Sequence, residues 1–288
     1  MTRRGLDTTW QRPQHETTMK QLCSAALVFL IAACAAKDDG FDEPMDARDE
    51  TAEEELARHK RIADEVQKEA FLYGEKWADA DLSVVRMNHR INSSQPPRVP
   101  KFTKAGFKKA KIPAQLWGQI TDWFKSAKPE GSIHPESNIV GYLNNNNVPN
   151  EMVEISEFIR QQTFTVMGEV LREWIDPKVY AGSRELQGSA CYGVRKYVRG
   201  NTLQRHVDRL DTHAISAILN VGQENVEVPW TLEIVDHQGI NHSVTMEPGE
   251  MILYESARLV HGRPHPLKGD AYYNLFVHYR PKHGWDYR

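Results

Sequence analysis

Tyr197-Val198-Arg199-Gly200-Asn201-Thr202-Leu203-Gln204-Arg205-His206-Val207-Asp208 is the stretch on which the fold turns. Ala190 to Gly200 reads as a strand closing in a glycine turn, and Tyr197, Gly200, Leu203 and His206 follow at intervals of three. Side chains two apart on a strand project to one side, so His206 and Asp208 can grip one ion from a single strand end. Downstream, Thr212 to Val221 is a largely apolar run bounded by Asp211 and Gly222, as a buried strand would be. Trp230 to Val235 alternates apolar and polar residues, Asp236 to Gly239 makes a hairpin turn, and Asn241 to Met246 is the return strand. After a turn at Glu247-Pro248-Gly249-Glu250 come the apolar strand Met251 to Tyr254 and a last strand, Tyr272 to Tyr279. Short strands at this spacing predict an all-β sandwich or barrel over 186–282.

The second histidine stands in Leu259-Val260-His261-Gly262-Arg263-Pro264, seven residues past Tyr254. His206, Asp208 and His261 together give two imidazoles and one carboxylate, a set that covers one face of an octahedral metal and leaves the other open. That donor set suits non-haem Fe(II) oxygen chemistry better than a closed structural zinc site.

With Glu247-Pro248-Gly249-Glu250-Met251 added, these motifs resemble the 2-oxoglutarate- and Fe(II)-dependent dioxygenases. More narrowly, Gly188 to Pro281 resembles the prolyl 4-hydroxylase alpha-subunit-like catalytic domain. The resemblance implies a double-stranded β-helix (jelly-roll) with His206, Asp208 and His261 as iron ligands and as the catalytic set, and Tyr197 lining the 2-oxoglutarate pocket. It implies Fe(2+) as metal, 2-oxoglutarate and O2 as cosubstrates, and ascorbate as an accessory reductant. Oxidative decarboxylation to succinate and CO2 would drive hydroxylation of a C–H bond, so no general base is required.

One departure concerns the distal carboxylate of 2-oxoglutarate. The family usually holds it with a Lys or Arg nine or ten residues after the second histidine, and a partly desolvated carboxylate needs such a donor. Here those positions are Asp270 and Ala271. Lys268 in the preceding turn is the favoured substitute, with Arg280 and Arg263 as alternatives. Asn274 is the likeliest additional contact among the residues of the last strand, while Tyr254, Tyr272 and Trp230 read as packing residues. His213 and His278 fall in apolar strands and read as core or supporting groups, His242 and His265 as exposed. Arg209 either orients a substrate or pairs with Asp211.

A chain of 288 residues with 40% hydrophobic content and a net charge of -3 fits one catalytic domain plus polar extensions. The weakly acidic balance gives no reason to expect nucleic acid. Lys101, Lys104, Lys108, Lys109 and Lys111 form a local basic patch that reads as a solvated face or a docking point for an acidic substrate. Residues 1–36 read as a leader: Leu22 to Ala36 is apolar, too short for an ordinary membrane span, and ends in Ala33-Cys34-Ala35 as a secretory signal would. The expected location is therefore the secretory pathway, the ER lumen or outside the cell. Alternatively Cys34 is lipidated or the run is retained, and only then is a membrane a partner. Cleavage after Ala35 leaves Cys191 alone, which excludes an internal disulfide.

Residues 37–100 read as an extension. Lys37 to Arg58 holds ten acidic residues against three basic ones and reads as a flexible linker. A helix should follow from Leu56 to about Trp77, then a Pro-rich break from Asn92 to Pro100. Asn92-Ser93-Ser94 and Asn241-His242-Ser243 are glycosylation sequons. Residues 101–288 then form the dioxygenase domain, with helical support over 101–180. A helix carries Leu116, Ile120, Trp123 and Phe124, and a longer one runs from Met152 to Trp174 after an asparagine-rich loop at 144–150. The expected class is α+β, a jelly-roll with supporting N-terminal helices. Three functions stay open: hydroxylation of peptidyl proline in secreted proteins, the same chemistry on a free amino acid or small molecule, and a non-catalytic metal-binding jelly-roll.

Overall fold

The computed structural model describes residues 50–73, 79–127, 133–135 and 150–287. The leader at 1–36 and most of the asparagine-rich loop lie outside the described residues. Among those described, no helix is long and apolar enough to cross a membrane.

Eight strands build the core: β5 (Val194–Val198), β6 (Leu203–His206), β7 (Ile215–Glu224), β8 (Leu232–Val235), β9 (Asn241–Val244), β10 (Glu250–Tyr254), β11 (His261–Arg263) and β12 (Ala271–Pro281). They divide into two antiparallel sheets, one with the order β10-β7-β12-β5, the other β6-β11-β8-β9. The chain crosses between sheets at almost every connection, and only the β8–β9 hairpin stays within one. That alternation is the double-stranded β-helix, built as two sheets rather than one closed ring. The larger sheet gains β1 (Phe107–Lys111) beyond β10, β3 (Glu151–Val153) and β2 (Ile133–Pro135) beyond β5, and β4 (Leu186–Ala190) on β12.

Strand alternation decides what each sheet faces. On β7, Ile215, Ala217, Leu219 and Val221 point outward to α3 (Ala114–Ala127) and α4 (Glu157–Trp174), where they meet Leu116, Ile120, Ile159, Met167 and Leu171. Ile218 on the other face joins Ile252, Tyr254, Leu232 and Ile234 between the sheets. α1 (Ala52–Tyr73) covers the smaller sheet, laying Ile62 and Val66 on Val207, Val235 and Val260.

Four expectations need correction. Met152 belongs to β3, not to the long helix, which starts at Glu157 behind Ser156, whose Oγ accepts from the Ile159 N–H. The acidic stretch is helical from Ala52: the Thr51 Oγ1 accepts from the Glu54 N–H at 3.2 Å while the Glu54 carboxylate accepts from the Thr51 N–H at 3.0 Å. This capping box, with Glu53 to Glu55 at the positive end of the helix, turns an acidic run into a helix start. A further helix, α2 (Asp79–Ser94), occupies a segment that carries no clear apolar period. Within it Asn92 is fully buried, so the first sequon presents no acceptor on the folded surface. The basic run, by contrast, is the solvated face it was read as: Lys101, Lys104, Lys108 and Lys111 are exposed, and in edge strand β1 Lys109 and Lys111 pair with Glu250 at 2.8 and 3.2 Å.

His59 on α1 is 5% exposed, and neither ring nitrogen has a hydrogen-bond partner among the described residues. Burial first, then the charges of Arg58 and Arg258, push its pKa down to about 3. The unfolded chain takes up this proton near 6.5, so stability falls as pH drops from about 6.5 towards 3. We expect His59→Leu to remove up to ~2 kcal/mol of the loss between about pH 7 and pH 5. Thermal melts across that range check it, and an unchanged slope would refute the assignment.

Candidate metal centre

His206 ends β6 and His261 opens β11, and the two stand directly opposite each other in the antiparallel register. Cross-strand partners bring their Cβ atoms to about 5 Å, and here the ring centroids are 4.6 Å apart. Gly262 permits this approach: a Cβ there would lie 2.7 Å from the Arg205 Cα and 2.8 Å from the Leu203 carbonyl oxygen. Asp208 follows two residues past β6, its N–H bonded to the Ser256 carbonyl at 2.8 Å. Val207 and Val260, beside the ligands, turn outward into the α1 contact.

The Asp208 Oδ1 lies 3.3 Å from the His206 Nε2 and 3.9 Å from the His261 Nε2. Ligand atoms about 2.1 Å from a metal and at right angles lie about 3 Å apart, so little closing is needed. The tautomers fit as well. The His206 Nδ1 donates to the Gln204 carbonyl at 2.7 Å, and the His261 Nδ1 donates to the Leu259 carbonyl at 2.8 Å. Both Nε2 lone pairs are thereby aimed at the shared point, the arrangement in which second-shell carbonyls orient ligating histidines.

Burial, with the His206 charge adding to it, lowers the His261 pKa to about 4, so the imidazole is neutral and ready to ligate at neutral pH. Burial alone would raise the Asp208 carboxyl, but the facing His206, His261, His278 and His213 imidazoles hold it well below the usual carboxylate range. Its second oxygen, Oδ2, is buried without a hydrogen bond among the described residues, the His278 Nδ1 standing 3.7 Å away. Two imidazole nitrogens, one carboxylate and a buried carboxylate oxygen with no hydrogen bond among the described residues fit a divalent transition metal.

Around this set lie residues that the sequence read as packing or supporting groups. Tyr254 sets its ring edge-on to His261 at 4.7 Å. His278 places its Nδ1 2.7 Å from the Ser216 Oγ, which is 2.6 Å from the Ser256 Oγ, which donates to the His213 carbonyl. With Ser256 donating there, Ser216 must donate to Ser256 and accept from His278, which fixes the proton on the His278 Nδ1.

Deeper between the sheets sits Arg263, on the same strand face as His261 and two residues beyond it. It is 1% exposed, with its guanidinium 4.6 Å over the Trp230 ring and 4.9 Å over Tyr272. Nη1 donates to the Trp230 carbonyl, while Nη2 has no hydrogen-bond partner and no carboxylate pairs with the group among the described residues. Tyr197 is fully buried in the same aromatic cluster and accepts from the Arg195 Nη1 at 3.2 Å. Asn274, also fully buried, accepts from the Asn220 Nδ2 at 3.1 Å, and its own Nδ2 has no hydrogen-bond partner among the described residues. Lys268, by contrast, is exposed in the turn before β12. Arg280 reaches the Asp211 carbonyl at 3.4 Å, and Arg209 pairs with Asp211 at 2.8 Å. The structure thus brings His206, Asp208 and His261 together and buries Tyr197 and Asn274, but leaves Lys268 outside. A cavity of about 390 Å³ lies beside the centre, lined by Met87, Ile91, Gln95, Asp208, Leu210 and Tyr287.

No protein-family model matches the sequence, and neither does any curated protein. Among solved structures the chain is similar to a prolyl-4-hydroxylase of Pseudomonas putida, at 19% identity over 62% of this chain and 94% of that one, with a TM-score of 0.46. It is similar to a 2OG-Fe(II) oxygenase family protein of Burkholderia pseudomallei at 11% identity, covering 64% and 89%, with a TM-score of 0.46. A Trichoplax adhaerens prolyl hydroxylase, solved with a hypoxia inducible factor peptide fragment, matches at 11% identity over 82% and 95%, with a TM-score of 0.45.

Proposed function

We propose that the chain is a 2-oxoglutarate- and Fe(II)-dependent dioxygenase in which His206, Asp208 and His261 hold the metal. The buried guanidinium of Arg263 carries this reading. A cation without a carboxylate partner is costly inside a protein, and this one, buried and with none among the described residues, stands two residues past His261 on β11. A diacid that chelates the metal at one end meets that cation with the other. Arg263 therefore takes the anchoring role expected of Lys268, with the Asn274 amide as a second donor and Tyr197 walling the pocket. Bound together, the metal and 2-oxoglutarate would supply oxidative decarboxylation to succinate and CO2 coupled to C–H hydroxylation. The protein orients them and keeps water out.

For the acceptor we propose a peptidyl proline of secretory-pathway proteins, supported by the motif resemblance and by the apolar run from Leu22 to Ala36. Purified protein given Fe(II), ascorbate and 2-oxoglutarate should release succinate, and more with proline-rich peptides. Absence of both succinate and iron binding would sink the enzyme reading, while stimulation by free amino acids alone would move the substrate to a small molecule. Lys268→Ala should leave the half-saturating 2-oxoglutarate concentration within about twofold, as exposed side chains contribute little. A large rise would return the anchor to Lys268.

A further inference from the structure

Among the described residues β6 is an edge strand of the smaller sheet, and its outer backbone groups meet no neighbouring strand. They meet α2. The Asn88 Nδ2 donates to the Arg205 carbonyl at 2.9 Å. The Asn92 Nδ2 donates to the same carbonyl at 3.3 Å, and its Oδ1 accepts from the Val207 N–H at 3.0 Å. Gln95, just past the end of α2, donates its Nε2 to the Asp208 carbonyl at 2.7 Å and to the Ala257 carbonyl at 2.8 Å. Positions 88, 92 and 95 recur at helical spacing, so one face of α2 and the residue that follows it offer three amides in a row. Asn92 grips the two peptides flanking His206 with one donor and one acceptor, as a partner strand would. It is fully buried, and Asn88 is 5% exposed. α1 adds to the hold, with the Glu69 carboxylate accepting from the Arg205 Nε at 2.8 Å.

We propose that α2 is part of the metal centre, with Asn92, supported by Asn88 and Gln95, as the positioning residue that fixes the Arg205–Asp208 backbone and so sets metal affinity. The inference rests on the reading of His206, Asp208 and His261 as a metal set. Support at one remove from a ligand is typically worth 10–100-fold in affinity. Neither Asn92 nor Gln95 touches the ion or a substrate in this scheme. They act through the backbone that carries two of the three ligands.

Co(II) titrated into the full chain, followed by its visible absorption, reports affinity and site geometry without turnover. Asn92→Ala should weaken binding by about 10–100-fold and change the band shape, and Asn92→Asp, which keeps the acceptor but loses the donor, should fall between. Gln95→Met, at a half-buried position, should weaken binding by several-fold. Met167→Ala, in the core on the opposite sheet, serves as a control: it should lower the melting temperature and leave Co(II) affinity unchanged. Wild-type affinity and spectrum in folded Asn92→Ala would overturn the proposal. Should that variant not fold, Gln95→Met decides, and unchanged binding there overturns it. A wild-type chain that binds no Co(II) would instead overturn the metal reading itself.

Discussion

Asp208→Ala or His206→Ala should abolish metal binding and turnover while leaving the far-UV circular dichroism unchanged. Supporting partners alone are worth 10–100-fold in metal affinity, so loss of a direct ligand should cost about 1,000-fold or more. The fold tolerates the change because the centre sits at strand ends and contributes little to the apolar contacts between the sheets or under α1. Asp208→Ala also removes a carboxylate that the neighbouring imidazoles stabilise, so the metal-free variant should keep its fold but melt somewhat lower than the metal-free parent. Metal analysis after dialysis and Co(II) titration check this. Retention of parental affinity in both variants would remove the triad from consideration.

Arg263→Met should move function and stability in opposite directions. Half-saturation by 2-oxoglutarate should rise about 100-fold, the scale of losing a charge-assisted, desolvated contact. The ligand-free protein should melt at the same temperature or higher, because replacing a buried unpaired charge with an apolar side chain of similar size relieves its desolvation cost. Arg263→Lys should recover only part of the affinity, since a lysine lacks the planar fork that grips a carboxylate. If Arg263→Met instead lowers stability and activity together, the guanidinium is a prop for Trp230 and Tyr272 and no anchor.

Much of the jelly-roll was legible because its strands announce themselves by alternation and by turn residues. Tyr197 to Asp208 and Met251 to Tyr254 fall where the pattern places them, and the spacing of His206 and Asp208 marks two neighbouring candidate ligands. Three things were not legible, each for a physical reason. Spacing along a strand says that Arg263 shares a face with His261, but burial depends on Trp230 and Tyr272 arriving from other strands. α2 has no strong apolar stripe because the face it turns to the sheet is made of amides, which look like a loop until the unpaired edge of β6 is in view. The relay from His278 through Ser216 and Ser256 to the His213 carbonyl joins residues far apart in sequence, and no local pattern marks it.

The amides along β6 have a consequence beyond the metal. An exposed sheet edge is a template on which a strand from another molecule can add, and such pairing leads towards swapped dimers and fibrils. In this chain the Arg205 carbonyl, the Val207 N–H and the Asp208 carbonyl along that edge are already bonded by Asn88, Asn92 and Gln95. The same three side chains that steady the ligand strand therefore also guard the folded protein against edge-to-edge self-association.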